Sequence, residues 1–246
     1  MVSVTKLVFQ EGCIPTALTC MMMVLITKGV GGYRGIGLVE FVWKVCMPIM
    51  NNRLRAAITL HDTLHGYRQR RGVLTATMEA KLAHQLVGMV HEPLSQVFLY
   101  VRKAYFSLDK GRCMEILRGY GLSPNLQRLL QRYCYKQAVV PKDGSLFGQP
   151  FRMERGVTQG IPLSPKIFNI MVDALVRAVL LEFCGPREAH HRFGWAAGEQ
   201  KIFFYVDNVR IAGRNPIWFQ TTLIDMVRMF DRVGLLKNLG NTKAMV

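Results

Sequence analysis

A carboxylate and an amide lie side by side at one predicted turn. The stretch FFYVDNVRIAG, residues 203–213, has two β-rich runs around a bend that carries Asp207 and Asn208. Asp and Asn are ordinary turn formers, so one interpretation gives Asp207 no chemistry at all. A carboxylate exposed at the tip of a hairpin is also the kind of oxygen ligand that Mg²⁺ prefers. The choice between a turn residue and a metal ligand depends on what the rest of the chain places beside this tip.

The charge of the chain favours a polyanionic partner. Lys and Arg number 32 against 16 Asp and Glu, which gives a formal net charge of +16 on 246 residues. The basic residues are spread along the chain, so nucleic acid is the favoured partner and an acidic membrane surface is the alternative. Half of the residues are hydrophobic, which allows a large core and excludes wholesale disorder.

Cysteine and histidine spacing gives little support for a metal site of another kind. The six cysteines form no CxxC pair, so reduced and mostly buried thiols are predicted. His61 and His65 are four residues apart, but no third ligand accompanies them. The ten-residue apolar run ALTCMMMVLI is too short to cross a bilayer and is predicted to be a buried strand. With no targeting segment recognised, we expect a cytoplasmic or nuclear protein without a membrane partner.

Periodicity predicts alternating helices and strands. Strands are predicted at 22–28 and 96–108 and in two hairpins, which turn at 143–144 and within 206–209. A glycine-rich connector over 29–37 and a basic loop over 65–72 separate the first elements. Helices are predicted over 38–61 with a break at Pro48, and over 75–92, 109–121, 123–137, 164–183 and 216–236. This order is typical of an α+β protein with an antiparallel sheet backed by helices.

Three of these segments together resemble a known family. QVFLYVRKAYFSL (96–108), RGVTQGIPLSPKIFNIMVDALVR (155–177) and FFYVDNVRIAG resemble, in this order, the palm of a reverse transcriptase of the non-LTR retrotransposon or group II intron type. HGYRQRRG (65–72) is similar to a fingers loop of that family. The resemblance covers nearly the whole chain and implies a right-hand fingers and palm fold. It implies a fingers-like segment over 1–90 and a palm-like segment over 91–246, without the helical thumb.

The resemblance implies a specific chemistry and a set of partners. Members of the family synthesise DNA on an RNA template, and two Mg²⁺ ions activate the primer hydroxyl and stabilise the leaving oxygens. The implied partners are an RNA template, a DNA primer or RNA–DNA duplex, and deoxynucleoside triphosphates. Asp207 matches a metal-binding Asp of the family's hairpin, and Tyr205 matches its Tyr. Asn208 and Tyr100 stand where the family usually carries two further metal-binding Asp residues.

Other positions match the nucleotide and template site. Tyr105 matches an aromatic residue near the sugar, Gln159 and Gly160 match a loop near the nucleotide and template, and Arg34 and Arg71 match triphosphate contacts. Each has a simpler interpretation: Tyr105 as a core aromatic, Gln159 as a loop residue, and both arginines as surface charge. Asn241 stands where the family usually has a Lys. Asp109, close to the first motif, more simply begins the next helix, where a negative charge suits the helix dipole.

The departures at residues 100, 208 and 241 predict an impaired polymerase. One side-chain carboxylate leaves a pair of Mg²⁺ ions poorly ligated, and each lost electrostatic group commonly costs several kcal/mol in the transition state. Three hypotheses remain open from the sequence. The chain is a degraded reverse-transcriptase domain, a non-catalytic RNA- or DNA-binding module, or a decayed reading frame without cellular function.

Overall fold

The protein divides into two compact units, each built from two separate stretches of chain. The computed structural model describes residues 2–12, 14–15, 20–29, 32–89, 91, 94–135, 137–188, 200–237, 240 and 242–245. Unit 1 comprises residues 1–59 and 105–168, and unit 2 comprises residues 60–104 and 169–246. The functional division into 1–90 and 91–246 stays a prediction.

Unit 1 combines helices with a five-stranded sheet. Its helices are α1 (Val2–Glu11), α2 (Phe41–Ala57), most of α4 (Ala104–Ser107), α5 (Lys110–Gly119) and α6 (Pro124–Tyr135). Its strands are β1 (Cys20–Thr27), β2 (Tyr33–Val39), β4 (Ala138–Asp143), β5 (Leu146–Phe147) and β6 (Phe151–Arg152). The order is β2-β1-β4-β5, with β6 on β4, and the β1–β4 pair is parallel. The predicted hairpin at Asp143–Gly144 is confirmed, because Asp143 pairs with Leu146 across it.

Strand β2 lies where a glycine-rich connector was predicted, so that prediction is wrong. Its glycines face sulfur atoms of the neighbouring strand. A Cβ built on Gly35 would lie 2.6 Å from Met23 Sδ, and one on Gly37 would lie 2.8 Å from Met21 Sδ. The glycines therefore make room for the large methionines of β1, and packing outweighs the low strand propensity of glycine.

Unit 2 is built on a second sheet, in which the described strands pair antiparallel. Its elements are α3 (Val73–Met89), β3 (Ser95–Arg102), the larger part of α7 (Leu163–Glu188), β7 (Gln200–Tyr205), β8 (Asn208–Gly213), α8 (Pro216–Arg232), β9 (Leu236–Lys237) and β10 (Lys243–Met245). The strand order is β10-β3-β8-β7, with β9 also on β3. The antiparallel sheet predicted for an α+β fold is confirmed.

Strand β3 is shorter than predicted. The buried strand expected over 96–108 ends at Arg102, and residues 104–107 form the short helix α4. Lys103 has a φ of +49°, a left-handed conformation that a strand does not continue through. Tyr105 therefore lies in a helical turn and not on the strand that carries Tyr100.

The core of unit 2 uses one face of this sheet. Val97, Leu99 and Val101 are at most 7% exposed, while Phe98 between them is 38% exposed. Along residues 97–101 this alternation is the pattern of a strand with one face packed and the other more exposed, while Gln96 and Phe203, at other places on that second face, are buried. Within the described ranges, no helix is both long enough and apolar enough to cross a membrane. Cys46, Cys113 and Cys134 are buried free thiols, as predicted, and Cys20 is an exposed one.

Asp109 begins helix α5, as predicted. Its carboxylate accepts a hydrogen bond from the backbone N–H of Arg112 at 2.9 Å, which satisfies one of the unpaired donors of the first turn. Asp109 is therefore explained as a helix cap without a metal.

We predict that Asp109→Ala lowers the free energy of unfolding by about 1 kcal/mol, because the first turn of α5 loses its acceptor. Asp109→Ser keeps a side-chain oxygen, so its free energy of unfolding should fall by no more than a few tenths of the loss in Asp109→Ala. Urea unfolding followed by circular dichroism measures both variants. Equal losses for Ser and Ala would contradict the capping role.

Candidate active site

The hairpin tip predicted to hold a metal is a two-residue turn. Strands β7 and β8 pair Tyr205 with Asn208, so Val206 and Asp207 form the loop between them. Val206 has a φ of +57°, and Asp207 is not among the residues with positive φ. This combination is typical of a II′ turn, whose first loop residue is normally glycine. A β-branched residue there is strained, and such strain is often found at functional sites.

The strand across from this tip is β3. Its residue Tyr100 pairs with Asn208, and the backbone N–H of Val101 donates a hydrogen bond to Asp207 O at 2.8 Å. Asp207, the predicted metal ligand, therefore lies beside residues 100 and 208, the two positions at which the family usually carries Asp. Their assignment as catalytic residues stays a prediction.

The side chains at this tip do not fit a pair of Mg²⁺ ions. Asp207 supplies a carboxylate, but the Asn208 amide is engaged as a donor to Asp207 Oδ1 at 3.1 Å. Tyr100 supplies a phenol, which is a donor and acceptor without the charge of a carboxylate. Within the described ranges, no cluster of three His, Cys, Asp or Glu side chains is placed to hold a metal ion.

A segment that sequence reasoning assigned to a fingers loop supports the hairpin. His65 N donates to Phe204 O, and Phe204 N donates to Thr63 O, both at 2.8 Å. Leu64 thereby forms a parallel bridge with Phe204 at the edge of β7. This pairing was missed because residues 63–66 are distant in sequence from β7 and have no strand periodicity.

Gly66 lies directly against the strained turn. A Cβ at this position would lie 2.9 Å from Val206 Cγ2 and 3.0 Å from the Val206 backbone nitrogen. Asn169 Nδ2 on helix α7 donates to Gly66 O at 2.6 Å, which fixes the glycine in place. The absence of a side chain at residue 66 is therefore what allows the turn to approach.

Buried Asp173 on α7 anchors the start of the same segment. Its Oδ1 accepts from His61 N at 2.5 Å, and its Oδ2 accepts from Arg177 Nε at 2.7 Å. Arg68 donates to the carbonyls of His61 and Leu64 at 2.7 and 3.0 Å. Burial lowers the pKa of the Arg68 guanidinium from its ordinary value. The carboxylate of residue 173 was not predicted, and only its place in an otherwise apolar helix could have drawn attention to it.

Arg71 in unit 2 is held by carboxylates. Its guanidinium lies 2.7 Å from Asp62 Oδ1 and 3.8 Å from Glu79 Oε1. A role in binding triphosphate would require exchange of these partners for phosphate oxygens. The predicted role of Arg71 remains a prediction.

Unit 1 holds the other predicted positions. Gly37 N donates to Gln159 O at 2.7 Å, and Gly160, at a φ of +87°, packs its Cα against β2. Val157 N donates to Tyr105 O at 2.7 Å, so the turn that carries Tyr105 and the 157–160 loop are joined. Arg34 is exposed on β2, opposite Ile26.

Tyr105 is 8% exposed and stacks on Phe168 with ring centroids 5.3 Å apart. That environment is typical of a core aromatic, and the predicted role near the nucleotide sugar remains untested. Asn241, another predicted departure, lies outside the described residues.

Solved structures show which class of protein has this fold. The chain matches apo telomerase from Candida tropicalis, truncated from its C-terminal domain, with a TM-score of 0.67 and 14% identity, over 98% of this chain and 54% of that one. It matches telomerase from Candida albicans in complex with a fragment of telomeric RNA with a TM-score of 0.68 and 13% identity, over 100% of this chain and 45% of that one. The fold is therefore the polymerase fold of telomerase and reverse transcriptases.

Sequence comparison gives the family itself. Residues 26–245 match the family model described as "Reverse transcriptase (RNA-dependent DNA polymerase)", and the chain belongs to this family. The family generally uses Mg²⁺, whereas the side chains at this tip offer only one carboxylate as a ligand for it.

Curated relatives agree with the non-LTR type predicted from the motifs. The Pol polyprotein of the type-1 retrotransposable element R2 of Popillia japonica is 24% identical over 93% of this chain and 32% of its own length. That of the type-2 element R2DM of Drosophila melanogaster is 24% identical over 97% of this chain and 22% of its own length. The chain thus spans no more than about a third of either relative.

We predict that Gly66→Ala destabilises the protein by about 1–3 kcal/mol, because the added Cβ overlaps the backbone of Val206. Gly88→Ala is the matched control, since Gly88 is exposed in helix α3 and a Cβ there meets nothing within 4 Å. The control should be neutral or slightly stabilising. Chemical unfolding compares the two variants, and an equal effect of both would contradict the role assigned to Gly66.

Proposed function

We propose that this chain is a reverse-transcriptase domain that binds RNA and DNA but is impaired in nucleotidyl transfer. The observation that carries the proposal is the pairing of Tyr100 with Asn208 beside Asp207. Three positions that would each supply a carboxylate in the family's pattern supply only one here.

The chemistry explains why this loss is severe. When bound, two Mg²⁺ ions would activate the primer hydroxyl and stabilise the leaving oxygens of the nucleotide. An uncharged amide and a phenol do not offset the charge of these ions as carboxylates do. Loss of one preorganised electrostatic group commonly lowers kcat by about 10²–10³-fold, so two losses leave little activity.

Nucleic-acid binding does not depend on those carboxylates. The net charge of +16 favours binding to a polyanion. Such binding is made mainly through contacts with phosphate groups, and its affinity falls as the salt concentration rises. We therefore propose an RNA template, a DNA primer or an RNA–DNA duplex as partner, with deoxynucleoside triphosphates as substrates only for a restored site. Tyr205 in unit 2, and Arg34, Gln159 and Gly160 in unit 1, match family residues that contact nucleotide or template, which supports retained binding.

Restoration of the two carboxylates tests the catalytic part of the proposal. The chain and its Tyr100→Asp/Asn208→Asp variant are each fused to the segment that follows the domain in an R2 relative. We predict that only the restored protein extends a labelled DNA primer on an RNA template in Mg²⁺, by at least about 10³-fold over the parent. The same fusion made with the relative's own domain is the positive control.

Two results would contradict this account. Primer extension by the unrestored chain at the rate of the control would show that residues 100 and 208 do not limit transfer. Failure of the restored chain beside a working control would show that the defect lies elsewhere. Salt-sensitive binding of the unrestored chain to an RNA–DNA duplex tests the binding part separately.

A further inference from the structure

The open face of the unit 2 sheet carries two rows of side chains in fixed register. Across β3, β8 and β7 the register pairs residues 100, 208 and 205, and it pairs residues 98, 210 and 203. Side chains two residues apart on one strand share a face of the sheet. Strand β10 adds Lys243 opposite Phe98. The rows are Tyr100, Asn208 and Tyr205 next to the turn, and then Lys243, Phe98, Arg210 and Phe203.

Aromatic and basic groups alternate on this face. Phe98 is 38% exposed, Lys243 is exposed, and Tyr100 and Tyr205 are half-buried. The core does not require rings at residues 98 and 100, because residues 97, 99 and 101 fill the packed face of β3. Phe203, at the other end of the second row, is 5% exposed and lies beside His65, with ring centroids 6.2 Å apart. Aromatic rings interleaved with basic groups are typical of surfaces that bind single-stranded nucleic acid.

Arg210 in the second row lies between two aromatic rings. Its guanidinium carbon lies 5.6 Å from the ring centroids of both Phe98 and Phe203. Its Nε and Nη2 donate to Gln96 Oε1 at 3.1 and 2.5 Å. Nη1 donates to none of the described residues. A guanidinium with one edge fixed and one nitrogen remaining is well suited to a phosphate oxygen.

The topology of unit 2 supports the same conclusion. Its main elements follow the order β3, α7, β7, β8, α8, β10, and the strands lie in the order β10-β3-β8-β7. This is a split β-α-β arrangement, with the first and third strands in the centre. RNA-recognition modules use aromatic residues on a four-stranded sheet to stack two or three bases. Here residues 98 and 100 are about 7 Å apart along β3, a step that an extended nucleotide chain spans.

We propose that this face binds single-stranded nucleic acid, with bases stacked on Phe98 and Tyr100 and a phosphate bound by Arg210 and Lys243. The inference rests on the proposed function and gives the tyrosine at residue 100 a role of its own. A ring at this position stacks a base where a carboxylate would bind metal. A single strand is favoured over a duplex because stacking on a protein ring needs a base face that is not already covered.

Fluorescence anisotropy of the full chain tests the proposal in EDTA, where metal-dependent binding does not contribute. The probe is a labelled RNA of about 12 nucleotides, free or annealed to complementary DNA. Phe98→Ala and Tyr100→Ala should each weaken single-strand binding by about tenfold. Tyr100→Phe keeps the ring and should bind like the parent. Arg210→Gln should lower the slope of log affinity against log salt by about one.

Matched controls lie away from this face. Phe151→Ala removes a 45% exposed aromatic residue from β6 in unit 1, and Arg228→Gln removes an exposed cation from α8. The aromatic control should leave single-strand binding unchanged, and the charge control should change it less than Arg210→Gln does. Phe98→Leu and Tyr100→Leu keep apolar volume without a ring, so they give the same comparison if an alanine variant unfolds.

The outcomes separate this inference from the proposed function. If the parent binds both probes and the ring-removing variants bind as tightly, the face is not the site and only this inference is overturned. If the parent binds the duplex alone, the preference for a single strand is wrong. If the parent binds neither probe, the proposed function fails as well.

Discussion

The antiparallel pairing of β3 with β8 is the constraint on which the rest of this structure depends. It places residue 100 opposite residue 208 and brings the backbone of Asp207 to Val101. The side chains at these positions must therefore share one small region at the end of the sheet where β7 turns into β8. In this chain they are a phenol, an amide and one carboxylate. The strand pairing thus brings the three residues together, and only Asp207 carries the charge that a pair of metal ions would require.

Support for the tip comes from parts of the chain that are distant in sequence. Residues 63–66 pair with the outer edge of β7, Gly66 leaves room for the strained Val206, and Asp173 on α7 anchors His61. These contacts keep the turn in an unfavourable backbone conformation. A β-branched residue keeps a left-handed backbone conformation only where the surrounding structure holds it there.

Local signals in the sequence were sufficient for some parts of the fold and not for others. The hairpin around Val206–Asp207 and the cap at Asp109 were predictable, because turn and capping residues act within a few positions of themselves. Strand β2 was not, because its glycines are explained by side chains of other segments, which are the methionines of β1 and Thr158. The pairing of residues 63–66 with β7 depends on contacts more than 100 residues apart, which no local pattern encodes. For the candidate site, the motifs gave residues 100, 207 and 208 as neighbours, but the engagement of Arg71 with Asp62 required the structure.

Metal binding at the tip tests the central claim most directly. Mn²⁺ is a spectroscopic substitute for Mg²⁺, and its binding is followed by electron paramagnetic resonance without any nucleic acid or activity assay. The account predicts that Tyr100→Asp/Asn208→Asp acquires saturable Mn²⁺ binding that is lost again with Asp207→Asn, whereas the parent chain shows none over the same concentrations. Saturable binding of two Mn²⁺ ions by the parent chain, abolished by Asp207→Asn, would contradict it.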